Sequence, residues 1–267
     1  MISVRATRMV ALAPTQARVM SQSSAPQTGN LLLAALAPDD LALLTPHLTR
    51  ETMKREQMLI RADAVIEHVW FPESGVASVV ATTASMACTE VGIFGREGFA
   101  GTALLLGAES SPHEIFVQVE GSGALCIEAS RLLAAVDESA TLRIALLRYV
   151  QSVVVQTSHS AVSNAHQRIE ARLARWLLVC HDRSETDEIA LTHEFMAMMI
   201  AAERSGVTIA LHILEGAGMI RSKRARVIIL DRDKLEELAG EGYGRPEAEY
   251  RRLVGPFGKN RPRPALA

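Results

Sequence analysis

Hydrophobic residues along the chain follow two different periods, and the change between them divides the sequence. From residue 51 to about residue 127, apolar segments such as HVWF, VASVV and EIFVQV alternate with turn segments such as PESG, FGREG and EGSG. Short segments rich in Val, Ile and Phe, with a turn signal every ~8–12 residues, are typical of an antiparallel barrel or sandwich. This part of the chain is therefore predicted to be an all-β domain.

Helical spacing replaces the strand pattern after residue 129. No Gly or Pro occurs from Glu138 to Asn164, and apolar residues recur there every three or four positions, which predicts a helix of about 27 residues or roughly 40 Å. Two uses of so long a helix stay open, namely packing across two domains and pairing with a second copy of the chain. We expect pairing, through the stripe Leu142, Leu146, Tyr149, Val150 and Val153.

Two short helices joined by a tight turn are predicted between residues 192 and 216. Thr192 suits an N-cap, and Gly216-Ala217-Gly218 suits a helix end. On a helical wheel the second helix has an apolar face of Val207, Ala210, Leu211 and Leu214 and a polar face of Arg204, Ser205, Thr208 and His212. Such a polar face suits base contacts in the DNA major groove. An ordinary helical hairpin inside a core is the alternative.

The residues that follow predict a β-hairpin with a positively charged tip. Strand-like segments at 219–221 and 226–230 flank the turn SKRA. Such a wing suits phosphate contacts, which fix the register of a protein on DNA without reading sequence. A solvated surface turn is the alternative. We assign phosphate contacts to Thr192, Lys223, Arg224 and Arg226.

Composition narrows the class of protein. The chain has 267 residues, 48% of them hydrophobic and 22% charged, as expected for two globular domains. The net charge of −2 does not indicate a nucleic-acid partner, so the positive charge has to be local. Cysteine and histidine residues show no metal-ligand spacing, and no nucleophile motif occurs. We therefore expect no metal and no cofactor, and an enzyme on a cupin-like barrel is disfavoured.

The ends of the chain and its apolar runs bear on location. No apolar run approaches the ~18–20 residues of a membrane span, so we expect no membrane partner. The three cysteines are widely spaced and odd in number, which argues against a disulfide framework and for the reducing cytoplasm. Residues 1–29 contain three arginines and no acid, and we interpret them as a disordered extension. A transit peptide would share this composition, and Met20 is an alternative start. Residues 241–267 are expected to form a tail that ends in the basic segment RPRPALA.

The order of these elements resembles the Crp/Fnr family of bacterial transcription regulators. The resemblance covers roughly residues 30–240, and its most specific parts are residues 168–231 and the sensor turn VGIFGREGFAG at 91–101. It implies an α+β fold with a β jelly-roll sensor domain like that of cyclic-nucleotide-binding proteins, a long dimerisation helix and a C-terminal winged helix–turn–helix. The corresponding residues are 30–136, 137–164 and 165–240.

The resemblance does not carry over the DNA half-site of the family. Recognition helices of the family often contain Arg-Glu-x-x-x-Arg, and the matching residues here are Arg204, Ser205 and Ile209. A glycine common in the turn of the family is Ala201 here. We expect Arg204 to read a base, and Ser205, Thr208 and His212 to supply contacts that differ from those of the family.

The sensor departs further from the family pattern. Members that bind cyclic nucleotides hold the ribose with Gly-Glu-Leu/Ile and the cyclic phosphate with Arg-Ser/Thr-Ala, whereas this chain has Gly101-Thr102-Ala103 and His113-Glu114-Ile115. Glu114 would repel a phosphate, so we expect no tight binding of cyclic AMP. Gly101, Thr102, His113 and Glu114 stay the candidate pocket for an unidentified effector. A haem or metal ligand at His113 and a redox switch at Cys88 are alternatives to a satisfied histidine and a buried thiol.

The function expected from the residues and the resemblance together is that of a homodimeric, non-enzymatic transcription regulator. It would bind a near-palindromic site in double-stranded DNA and act with RNA polymerase. The alternative is a ligand-binding sensor whose C-terminal helices contact a protein partner, and binding without salt dependence would favour that alternative.

Overall fold

The computed structural model describes residues 28–84 and 88–259. The strands of the N-terminal half are β1 (Thr49–Met53), β2 (Met58–Ile60), β3 (His68–Pro72), β4 (Val76–Thr82), β5 (Cys88–Phe94), β6 (Glu114–Val119) and β7 (Gly121–Glu128). They form two antiparallel sheets with the orders β1–β7–β3 and β2–β6–β4–β5. Apolar residues of both sheets, among them Phe71, Val117 and Ile127, share one buried core. The predicted α+β fold class is confirmed.

Helices surround this sandwich and build the C-terminal half. They are α1 (Leu31–Ala34), α2 (Pro38–Leu44), α3 (Thr102–Leu105), α4 (Ala129–Glu138), α5 (Ala140–His166), α6 (Ile169–Arg183), α7 (His193–Met199), α8 (Arg204–Gly216), α9 (Arg232–Ala239) and α10 (Arg245–Leu253). Strands β8 (Glu188–Ile189), β9 (Ile220–Lys223) and β10 (Arg226–Ile229) form a third sheet in the order β8–β10–β9. Trp176, Leu177 and Leu211 lie in a second core, which joins α6–α9 to this sheet.

The long helix α5 exists as predicted, but its predicted pairing stripe faces its own chain. Leu142, Leu146, Tyr149 and Val150 are at most 8% exposed, and the first three lie in the sensor core, with Val153 half-buried against it. An apolar stripe has the same spacing whether it faces a domain or a second helix. These five side chains are not available to a second copy, which corrects the predicted seam.

The opposite face of α5 is exposed and carries a repeat of its own. Spacings of three and four residues alternate along it, as in the seam of a coiled coil. The side chains are large at the first end and small at the other. The exposed face consists of Ile144, Leu147, Gln151, Val154, Ser158, Ala161 and Ala165.

The segment after residue 241 is not a tail throughout. Helix α10 starts after Gly244 and packs along α5. Tyr250 and Phe257 enter the sensor core, where the Tyr250 hydroxyl donates a hydrogen bond to the Glu97 carbonyl at 2.8 Å. Charged residues around these two aromatic anchors gave the segment the composition of a tail. The basic end RPRPALA and the first 27 residues of the expected extension lie outside the described residues.

A buried ion pair joins the sensor to the C-terminal half. Arg183, the last residue of α6, lies 2.7 Å from Glu97 of the sensor turn, and each side chain is 3% exposed. Burial opposes the charge on Arg183, but neighbouring carboxylates, with Glu97 foremost, raise the pKa of this guanidinium. The guanidinium carbon also lies 5.0 Å from the centroid of the Phe257 ring. The sensor turn, α6 and the C-terminal segment therefore meet at one charged pair.

Glu90 of β5 places a second buried carboxyl at the same junction. The Trp176 Nε1 of α6 donates to one carboxyl oxygen at 3.0 Å, and the Ser78 hydroxyl donates to the other at 2.7 Å. Burial raises the pKa of Glu90 to about 7, although these two hydrogen bonds lower it. Glu90 is therefore neutral below that pH and becomes a buried charge above it.

Replacing Glu90 with glutamine should flatten the pH dependence of stability. The unfolded carboxyl loses its proton near its ordinary pKa of 4.5 and the folded one near 7. The unfolded state is thus favoured as the pH rises between these values, by up to about 3 kcal/mol. Glu90→Gln keeps an acceptor for Trp176 and removes the ionisation. Urea unfolding at about pH 5 and about pH 8 measures the difference.

The matched control is Glu56→Gln, because the Glu56 side chain is 71% exposed. This variant should keep the pH dependence of the wild type. If Glu90→Gln and the wild type lost the same free energy of unfolding between the two pH values, the assigned role of Glu90 would be wrong.

Candidate functional site

Helices α7 and α8 meet at a bend of 102°, within the ~90–120° range of a helix–turn–helix. The Ala202 N–H donates to the Ala197 carbonyl at 2.9 Å, and the Ala201 N–H donates to the Met198 carbonyl at 3.4 Å. These are the two bonds of a Schellman motif. Ala201 has φ +49°, in the left-handed region, which costs an alanine about 1 kcal/mol. The turn is therefore formed where the resembled family has its glycine.

Thr192 caps the first of these helices. Its hydroxyl accepts a hydrogen bond from the Phe195 N–H at 3.2 Å. The helix also lies against the sensor, with the Phe195 and Phe116 ring centroids 6.1 Å apart and the Arg55 guanidinium carbon 5.5 Å from the Phe195 centroid. Helix α7 is thus held against the sensor. The Thr192 hydroxyl accepts in the cap and can still donate its proton to another acceptor.

Helix α8 separates its faces as the helical wheel predicts. Its core face is at most 2% exposed and consists of Val207, Ala210, Leu211 and Leu214. Arg204, Ser205 and His212 are exposed on the other side. The Arg204 Nη1 lies 3.3 Å from the Glu194 Oε1, and because both side chains are about two-thirds or more exposed, at 68% and 74%, this pair is weak and easily exchanged.

Thr208 is held more tightly than the sequence suggests. Its hydroxyl donates to the Arg204 carbonyl at 3.1 Å and lies 3.1 Å from the His193 Nδ1. Serine and threonine in a helix often bond to the carbonyl four residues earlier in this way. The hydroxyl of Thr208 is therefore already committed within the protein.

Two exposed aliphatic residues of α8 are not among the site residues predicted from the sequence. Ile209 is 59% exposed and Ile213 is 48% exposed. At about 100° per residue, Ile209 lies only about 30° from the centre of the outward face. The outward position of Ile209 can be read from the helical wheel. An apolar residue is ordinarily assigned to the core, however, and the family motif marks Ile209 only as a departure.

The predicted wing is the hairpin of β9 and β10. Lys223 and Arg226 are paired across the hairpin, and Ala225 at the tip has φ +58°. Arg226 lies 2.7 Å from Glu188 of β8. Lys223 and Arg224 are exposed and form no ion pair with the rest of the described chain. The two residues at the tip are therefore the freer cations.

The candidate effector pocket is a cavity of about 260 Å³ between the sensor sheet and α5. Gly101, Thr102 and His113 line it, whereas Glu114 does not, because successive residues of a strand face opposite sides. Val153 and Thr157 of α5 form part of the wall. Among the described residues the His113 Nδ1 is buried without a hydrogen-bond partner, and no lysine or arginine lines the cavity.

Several other expectations concern the described residues only. Over 28–84 and 88–259, no group of three or more His, Cys, Asp or Glu side chains is placed to hold a metal ion. No single helix in these ranges is long and apolar enough to cross a membrane, and α7 and α8 reach that level only together, across their bend. Cys88 was expected to be buried, but it is exposed. The reason is that Cys88 begins β5, which lies at the edge of its sheet.

The geometry defines a class of protein in which a β-sandwich sensor is joined by a long helix to a winged helix–turn–helix. Residues 171–238 match the sequence model of the Crp-like helix-turn-helix domain. No curated protein sequence matches the chain.

Solved structures of regulators share the fold. The c-di-GMP-responsive global regulator CLP of Xanthomonas campestris has a TM-score of 0.59 and 14% identity, covering 72% of this chain and 99% of that chain. FixK2 of Bradyrhizobium japonicum has a TM-score of 0.61 and 14% identity, covering 72% and 98%. A CRP-family transcriptional regulator of Thermus thermophilus has a TM-score of 0.61 and 18% identity, covering 72% and 97%.

Residues 171–238 are therefore a Crp-like helix–turn–helix domain, and the chain has the fold of solved CRP-family regulators. The family model covers the C-terminal part, and the solved structures share the fold over 72% of the chain. Crp/Fnr regulators are DNA-binding proteins without enzymatic activity.

Proposed function

We propose that this regulator binds a near-palindromic DNA site as a homodimer and that its sensor does not respond to cyclic AMP. The exposed heptad face of α5, which leads directly into a winged helix–turn–helix, is the observation that carries the proposal. RNA polymerase is the proposed partner on DNA, in the cytoplasm. The proposed effector is an unidentified small molecule that fits the sensor cavity.

The heptad face supports pairing of two α5 helices. Ile144, Leu147 and Val154 would interlock with their copies, and burying one such side chain fully stabilises by about 1.5–3 kcal/mol. Ala161 and Ala165 let the helices approach closely where they lead into α6. A two-fold axis along the pair gives two symmetric recognition helices, which suits half-sites about 34 Å apart.

The exposed cations support contacts with DNA. Arg204 lies at the N-terminal end of α8, where side chains reach base edges, and a bidentate bond to guanine discriminates by about 1–3 kcal/mol. Lys223 and Arg224 provide sequence-independent contacts. Thr192 and Arg226 are secondary phosphate contacts, because one is a helix cap and the other is paired with Glu188. Ser205 and His212 are the remaining polar base contacts.

The cavity supports a sensor for something other than cyclic AMP. Its wall is mainly aliphatic, with the His113 imidazole and a few hydroxyl groups but no guanidinium. Burying a phosphate there without a cationic partner is unfavourable. Because Val153 and Thr157 belong to α5, a ligand in the cavity would contact the helix that pairs the subunits, and would shift their arrangement only through a difference in affinity between two states.

Selection from random duplex DNA with the purified protein, at one stated salt concentration, should enrich a symmetric motif. Arg204→Ala should relax the preference at one base pair of each half-site.

The double variant Lys223→Ala/Arg224→Ala should weaken binding to every sequence alike, because phosphate contacts carry no sequence information. Its slope of log affinity against log salt should fall in magnitude by about 2, as measured by fluorescence anisotropy.

Arg131→Ala is the control, because it removes an exposed arginine from α4 on the sensor, where the side chain is 59% exposed. This variant should change neither the motif nor the slope. Binding that does not depend on salt would refute the DNA contacts and favour the sensor with a protein partner.

Leu147→Glu should convert the dimer into monomers, because it places a charge in the middle of an apolar seam. Size-exclusion chromatography with light scattering measures the mass of the particle. Leu106→Glu is the matched control, since Leu106 is also an exposed leucine, 67% exposed on the sensor, and it should remain dimeric. If the wild-type protein had the mass of one chain, the proposed pairing of two α5 helices would be wrong.

Titration calorimetry with cyclic AMP should give no binding heat in the micromolar range, because the cavity has no cation for the cyclic phosphate. If calorimetry detected a micromolar or tighter complex, the proposal that the sensor does not bind cyclic AMP would be wrong.

A further inference from the structure

The outward side of the recognition helix α8 carries an aliphatic ridge, formed by Ile209 and Ile213. Their exposed fractions are 59% and 48%, and they lie one turn apart. The core of the domain does not use them, because Val207, Ala210, Leu211 and Leu214 fill the opposite face. Large aliphatic side chains left in water forgo the stabilisation that burial provides, so the ridge is suited to a partner with an apolar group.

The charges next to the ridge define that partner. Arg204 is exposed at the N-terminal end of α8, five residues before Ile209, and the exposed cations Lys223 and Arg224 follow α8 in the hairpin. An apolar protein surface would leave these cations without partners, whereas duplex DNA offers phosphates to them. In the major groove the apolar group at the base edges is the C5-methyl of thymine, and aliphatic side chains recognise it by contact.

Hydrogen-bond readout is correspondingly reduced on this helix. The Thr208 hydroxyl bonds to the Arg204 carbonyl and lies beside His193, so it has no free donor for a base. Ile209 itself has no polar atom in its side chain. The aliphatic ridge therefore distinguishes bases by apolar contact. Polar readout is left to Arg204, Ser205 and His212.

We propose that Ile209 and Ile213 read thymine methyl groups, so that each half-site contains thymines at fixed positions beside the base pair read by Arg204. Ile209 makes the central contact, because it lies nearer the middle of the outward face than Ile213 does, and Ile213 makes the flanking one. This inference rests on the proposed binding of DNA and adds which chemical group of the DNA the helix recognises.

The test replaces thymine by uracil in the selected duplex, one position at a time. Uracil keeps the hydrogen-bonding pattern of thymine and lacks only the methyl group. Binding is measured by fluorescence anisotropy at one salt concentration. We expect one or two positions per half-site at which the replacement weakens binding about three- to fivefold, as the loss of one buried methyl group does, and the others to show no change.

The variant Ile209→Ala links the effect to the residue. It should bind the thymine duplex more weakly than the wild type and bind the uracil and thymine duplexes equally at the central position. Ile209→Val should retain part of the discrimination. Val65→Ala, which truncates a side chain that is 67% exposed on the sensor, is the control and should discriminate as the wild type does. Circular dichroism confirms that each variant folds.

Two results would overturn the inference. If the wild type bound every uracil-substituted duplex as tightly as the selected thymine duplex, methyl recognition would be wrong while DNA binding stood. If no duplex were enriched and binding did not depend on salt, the proposed function would fail and methyl recognition with it.

Discussion

The contact between Arg183 and Glu97 lies buried at the point where the two halves of the molecule are joined. Both side chains are almost fully buried, and removing one partner of a buried pair leaves an uncompensated charge, at a cost of about 3–5 kcal/mol. The Tyr250 hydroxyl bonds to the backbone of the same glutamate, and Phe257 covers the arginine. These contacts hold the end of α6 against the sensor turn, and α6 in turn carries the helix–turn–helix.

Helix α5 serves both halves by dividing its surface. One face completes the core of the sensor, and the other is exposed and carries the heptad repeat that we propose pairs with a second copy. The wall of the sensor cavity includes residues of this same helix. In the proposed dimer, a ligand in the cavity would therefore act on the helix that pairs the subunits, without touching the DNA-binding surface.

Local patterns were enough to predict much of this structure. The turn signals located β3, β4 and β6, and the helical wheel located the buried face of α8. Both were predictable because strand alternation and the helical period depend only on residues a few positions apart. Partners distant in the sequence were not predictable in this way. The stripe of Leu142 and Leu146 does not reveal which surface it covers, and the anchoring of Tyr250 depends on a carbonyl in the distant sensor turn. At the site, Arg204 and the wing followed from charge, whereas Ile209 did not, because an apolar residue is ordinarily assigned to a core.

The change of side-chain size along α5 has a mechanical meaning. Helix axes separate by a distance that depends on the side chains between them, so in the proposed dimer a seam that begins with Ile144 and ends with Ala165 would form a narrow V. Its closed end would point toward the DNA-binding domains, and its open end would lie between the sensors. Such a pair would work as a lever whose fulcrum is beside the DNA, so that a displacement of the sensors would become a smaller displacement of the recognition helices.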